Sequence, residues 1–155
     1  MKKFRPYIIS VLIALGVGIL SALITKDYMN IYEFLSSPPL SPPSAVFPVV
    51  WTVLYILMGI SSAMVYSGCK GESICAEALR IYALQLAVNF FWSIIFFRWG
   101  MYLFAFVWLL LLIVLVAVMI KRFWKVEPKA AYLQIPYLIW LLFAAYLNFA
   151  IFILN

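Results

Sequence analysis

The sequence contains no histidine, and only five of its 155 residues are acidic. The absence of histidine removes the commonest general base and metal ligand of proteins. The two cysteines, Cys69 and Cys75, give too few ligands for a zinc site without histidine. No Asp, Glu, Lys or Arg falls deep inside any of the long apolar runs. An ion-coupled pump normally carries such a group at membrane depth, so that class is disfavoured. A hydrolase is disfavoured too, because neither an imidazole nor a buried carboxylate is present to activate a nucleophile. The formal net charge of +6 comes from only 10% charged residues, too few and too scattered to line a nucleic-acid duplex. No metal, cofactor or nucleic-acid partner is expected.

What the chain has in abundance is apolar surface: 68% hydrophobic and 19% aromatic residues, with a mean hydropathy of +1.13. A soluble domain of this size cannot hide so much, so part of the solvent must be lipid. Charge-free runs, set against the roughly 20 helical residues of a bilayer core, place helices at about 6–25, 45–66, 78–97, 100–121 and 129–153; the third run, 81–97, is slightly short and is extended past Arg80 by Ala78 and Leu79. A proline-rich loop over 26–44 joins the first two. The chain reads as one all-α integral membrane domain over 1–155, a five-transmembrane-helix bundle. The first run is basic at its start but too long, and too poor in cleavage features, for a removable signal peptide.

Orientation follows from the bias of Lys and Arg to the inner side. Lys2, Lys3, Arg5, Lys70, Arg80, Lys121, Arg122, Lys125 and Lys129 fall on one side of a five-helix protein, and Lys26 and Arg98 on the other. The N-terminus is therefore expected inside, and the C-terminus and proline loop outside. Cys69 and Cys75 share one short loop and could close a small ring on an oxidising side. On the inner side they are expected as free thiols.

Three helix faces could carry chemistry. Phe47, Trp51 and Tyr55 recur every four residues and stack on one face, just after Pro42, Pro43 and Pro48. Pro48 suits a first helical turn. Gln85, Asn89 and Ser93 recur likewise, with Trp92 adjacent, and amides inside a span need partners. Interhelical hydrogen bonds, each worth ~0.6 kcal/mol on average, are the plain explanation; contact with a ligand is the functional one. Pro136, Trp140, Ala144 and Asn148 form the third face, with a kink and a freed carbonyl expected at Tyr132. With the second helix running inward and the third and fifth outward, these faces converge in one half of the bundle. An aromatic cavity with a few amide and indole donors, roofed by the proline loop, is expected there. Ala14, Gly18 and Ala22 permit a close helix approach, within the monomer or in a dimer.

Several of these residues together resemble the TspO/MBR family. They are Pro42-Pro43 followed by Phe47, Trp51, Tyr55 and Gly59; Asn89, Trp92, Ser93, Phe96 and Phe97; and Pro136-Tyr137-x-x-Trp140 leading to Ala144-x-Tyr146-Leu147-Asn148. The resemblance implies a homodimer in a bacterial cell membrane, in contact with membrane lipid and with a porphyrin or drug-like small molecule. It implies binding of protoporphyrin IX and of benzodiazepine or isoquinoline ligands, for tetrapyrrole or stress sensing. The binding set implied is Tyr32, Pro42, Pro43, Phe47, Trp51, Tyr55, Asn89, Trp92, Ser93, Trp140, Ala144, Leu147 and Asn148. It further implies light-dependent porphyrin degradation in some members, for which Trp51 and Trp140 would be the catalytic residues. A passive transporter of tetrapyrroles or other amphiphiles is the alternative. The loop departs from the family pattern: Ile31-Tyr32 and Ser37-Pro38-Pro39-Leu40 stand where relatives carry two further aromatics and a lysine.

Overall fold

The computed structural model describes residues 2–69, 71 and 73–155. Lys70, one of the charges used for orientation, lies outside the described residues. The chain forms α1 (Arg5–Thr25), a single turn α2 (Ile31–Phe34), α3 (Val46–Gly68), α4 (Ser73–Ser93), α5 (Tyr102–Val126) and α6 (Pro128–Leu154). A π-turn over Ile94–Arg98 continues α4. Five of these helices are long and apolar enough to cross a membrane. Around the bundle the order is α1, α3, α6, α5, α4 and back to α1.

Local chemistry sets the helix ends. Pro6 opens α1 and Pro128 opens α6, where a missing N–H costs nothing. The side chain of Glu127 accepts from the Lys129 amide and caps α6. Pro38 and Pro39 stop α2 from propagating, and Leu35 is already extended. Two ends run past the charge-free stretches: α4 starts at Ser73 rather than 78, and α5 continues to Val126 rather than 121. Hydropathy marks the hydrocarbon boundary, whereas the helical backbone continues beyond it. Glu77 and Arg122, both in these extra turns, form an ion pair between α4 and α5.

The core is a stripe on each helix. On α5 it is Ala105, Leu109, Leu112, Val116, Met119 and Phe123, all 0% exposed and at helical spacing. The opposite face, with Val107, Leu111 and Val114, is exposed and suits lipid rather than water. Helices α1 and α3 meet at glycine. A Cβ on Gly59 would lie 2.5 Å from the Cα of Val11, so the two backbones touch, as small residues allow in membranes. Of the small residues of α1, Ala14 is fully buried and Gly18 faces Tyr55, so both take part in packing within the chain, whereas Ala22 is exposed.

The structure differs from expectation at the cysteines. Cys69 and Cys75 are joined in a disulfide, with Cα atoms 5.8 Å apart. The turn between α3 and α4 brings them within the ordinary bridging range, a proximity that the charge-based assignment to a reducing side could not reveal.

Candidate functional site

A cavity of about 250 Å³ lies at the end of the bundle beneath the 26–44 segment. On α3 the four-residue spacing brings Phe47, Trp51 and Tyr55 to its wall, with Pro48 and Thr52 beside them. From α4 come Trp92 and Ser93, and from the π-turn Phe96 and Phe97. Phe96 and Phe97 lie within this π-turn, and both reach the wall. Helix α6 supplies Ala144, Leu147, Asn148 and Ile151, and the loop supplies Met29 and Tyr32.

Helix α1 forms a wall that the sequence reading left out: Leu15, Gly18, Ile19, Ser21, Ala22 and Thr25. Those residues recur at helical spacing. The stripe was readable, yet nothing in it distinguishes a cavity wall from an ordinary packing face. Gly18 is the exception: a Cβ there would lie 2.5 Å from Tyr55 Cε2.

The polar groups around the cavity are mostly spent on one another. Asn89 Nδ2 donates to Tyr55 Oη at 3.2 Å, and Trp92 Nε1 to Asn148 Oδ1 at 3.1 Å. Asn148 Nδ2 in turn donates to the Tyr102 carbonyl at 2.8 Å, tying α4, α5 and α6 together. Below, the Tyr137 hydroxyl donates to Gln85 Oε1 at 2.8 Å. Tyr55 accepts from Asn89 and keeps its own O–H for an acceptor. The rest of the wall mixes aliphatic and aromatic residues, with Trp51 at the centre of the aromatic part: it lies 5.8 Å from Tyr55 and 6.4 Å from Trp92, and 6.3 Å from Tyr137 behind the wall, ring centre to ring centre.

Four of the expected binding residues are not on the wall: Pro42, Pro43, Asn89 and Trp140. Asn89 is 1% exposed and sits behind Tyr55, which it positions. Trp140 stands one aromatic layer back, its ring 5.8 Å from Phe47. Its indole N–H is buried and has no partner among the described residues. Pro42 belongs to the 26–44 segment, where its carbonyl accepts from the Tyr32 hydroxyl at 3.1 Å, and Pro43 is exposed.

The 26–44 segment over the cavity is fastened at several points. Asn155 pairs with the backbone of Ser36 through both its side-chain atoms, accepting at 3.1 Å and donating at 3.0 Å. Tyr146 donates to the Pro39 carbonyl at 2.8 Å, and Ser44 to Glu33 at 3.0 Å. Tyr32 meets Phe47 edge-on, with ring centres 5.0 Å apart. Burial pushes the Tyr32 phenol above its ordinary pKa, against a smaller opposing effect from Ser41, so it stays a donor at neutral pH. At the tip, Leu40 has a φ of 69° and follows Pro39. That is the conformation of a type II turn, which glycine usually supplies. Among the described residues, no group of three His, Cys, Asp or Glu could hold a metal ion.

Fold and cavity define a five-helix integral membrane protein with an apolar, partly aromatic pocket beneath the hydrogen-bonded 26–44 segment. The chain belongs to the TspO/MBR family, whose model matches residues 10–154. It is 34% identical over 156 residues to "Tryptophan-rich protein TspO" of Chlorobaculum tepidum, covering 99% of this chain and 98% of that protein. It is 36% identical over 124 residues to "Tryptophan-rich sensory protein" of Cereibacter sphaeroides, covering 80% and 76% of the two chains. With "Translocator protein" of Ovis aries it shares 40% identity over 119 residues, covering 76% and 70%.

Proposed function

We propose that the cavity binds an amphiphilic, largely aromatic ligand of the porphyrin class, and related benzodiazepine or isoquinoline compounds, for tetrapyrrole or stress sensing. The observation that carries this reading is the Trp51 ring on the wall, flanked by Tyr55, Trp92, Phe96 and Phe97 beneath a fastened lid. A stacked wall of this kind takes up flat π-systems with little need for polar contacts. The cavity, at about 250 Å³, is below the range of roughly 300–1,000 Å³ usual for drug-sized ligands. A macrocycle therefore requires the lid to lift or shift as it enters. The floor favours binding over through-passage, since Met58, Gln85 and Tyr137 are all buried and packed beneath it. Charge bias supports an orientation with the N-terminus inside and the lid outside, whereas the Cys69–Cys75 bridge favours an oxidising environment on the side that the charge count assigns to the inside. The family relation supports a homodimer.

Porphyrin titration in detergent, followed by tryptophan fluorescence, tests the site. Trp51→Phe should weaken binding roughly threefold to tenfold, the scale of one aromatic contact, and Trp140→Phe much less. Equal titrations for the wild type and Trp51→Phe would place the ligand elsewhere. Light-dependent porphyrin breakdown is a second activity favoured by the same Trp51. An indole against an illuminated macrocycle can donate an electron or intercept reactive oxygen. Bleaching that equals the rate seen with an unrelated membrane protein would remove that activity and leave binding intact.

A further inference from the structure

The cavity wall is apolar, but two cations border it in the sequence. Arg98 follows Phe97 at the end of the π-turn, and Lys26 follows Thr25 at the end of α1; Phe97 and Thr25 both line the wall. They differ in how they are held. The Arg98 guanidinium lies over the Tyr28 ring, 5.8 Å from its centre, and Tyr28 immediately precedes the wall residue Met29. Arg98 thus spans from the end of α4 to the segment that leads into the lid. It is exposed, and among the described residues its guanidinium makes no ion pair. Of the two acidic residues in the 26–44 segment, Glu33 is engaged by the Ser44 hydroxyl, and the other is Asp27.

A guanidinium lying over an aromatic face at this distance still has N–H groups free, and these can meet a carboxylate as a matched pair. Its side chain is also partly immobilised before any anion arrives, which reduces the ordering cost of binding. A lysine at the end of α1 has neither feature.

We infer that Arg98, held on Tyr28, is the rim residue that selects carboxylate-bearing amphiphiles for this cavity: the apolar body lies against Trp51 and the phenylalanines, and the acid group meets Arg98. This inference rests on the ligand class proposed above and adds the group that discriminates within it.

The test compares protoporphyrin IX with its dimethyl ester, which keeps the macrocycle and removes both negative charges. Arg98→Gln should weaken binding of the free acid roughly five- to tenfold and leave the ester unchanged. Arg98→Lys should recover part of the loss, and Lys26→Gln should have a clearly smaller effect. The loss should shrink as salt is raised. If Arg98→Gln weakens acid and ester alike, Arg98 anchors lipid phosphate or the fold, and the inference is overturned. No change with either ligand overturns it equally. Failure of the wild type to bind both acid and ester would instead bring down the underlying ligand class, an outcome distinct from a wild type that binds both and ignores the substitution.

Discussion

Gly18 of α1 lies directly against the ring of Tyr55 on α3: a Cβ added at Gly18 would sit 2.5 Å from Cε2 and 2.7 Å from Cδ2. Tyr55 is at once a wall residue and the acceptor of Asn89, so the contact couples helix packing to pocket shape. Gly18→Ala forces the ring to move or α1 to retreat, and such overpacking typically costs about 1–3 kcal/mol. The expected outcome is a lower thermal midpoint in detergent together with weaker porphyrin quenching. An unchanged titration with a lowered midpoint would show that Tyr55 does not shape the ligand site.

Gly59 provides the contrast. Its added Cβ would meet the backbone of Val11 rather than a ring edge, and backbone cannot rotate away. Gly59→Ala should therefore destabilise more than Gly18→Ala. The two midpoints measured under one set of conditions decide this, and the reverse order would contradict the packing described for α1 and α3.

The five spans were legible because each is built on a long apolar run with no charge deep inside it, and Trp51 and Tyr55 because their four-residue spacing puts them on one face. What remained hidden had physical causes. The residues of α1 that line the cavity are ordinary apolar residues, and only a partner helix distinguishes a wall from a packing seam. Trp140 shares its spacing with Ala144 and Asn148, which do reach the wall, but Phe47 stands in front of it. The Cys69–Cys75 bridge depends on a turn geometry that charge counting does not address. The lid contacts of Asn155 and Tyr146 join residues 119 and 107 positions apart, beyond the reach of any local pattern.

Those lid contacts predict a graded release. Tyr146→Phe removes one hydrogen bond to Pro39, and Asn155→Ala removes the pair to Ser36. Each neutral bond is worth about 0.5–1.5 kcal/mol. Hydrogen exchange over residues 31–44 should therefore quicken in the order wild type, Tyr146→Phe, Asn155→Ala, with the helices unaffected. The Tyr32 bond to Pro42 adds a pH dependence. The folded-state pKa is raised above 10 by burial, so this stabilisation is fully present below pH 10 and is lost as pH rises through the higher folded value. Lid exchange, corrected for its intrinsic pH dependence, should be flat across neutral pH and rise only in strong alkali. Tyr32→Phe should abolish that rise.

The two glutamines of the chain make opposite predictions although both are fully buried. Gln85 accepts the Tyr137 hydroxyl at 2.8 Å, and removing it strands a buried O–H. Gln85→Leu should cost about 1–3 kcal/mol. Among the described residues Gln134 has no hydrogen-bond partner at either side-chain atom, so its polar atoms pay desolvation without return. Gln134→Leu should then be neutral or raise the thermal midpoint, since an apolar side chain of similar size removes that penalty. Thermal unfolding of both variants in one detergent is the measurement. A drop for Gln134→Leu as large as that for Gln85→Leu would mean that Gln134 is satisfied in the membrane, most simply by a bound water between α6 and its neighbours.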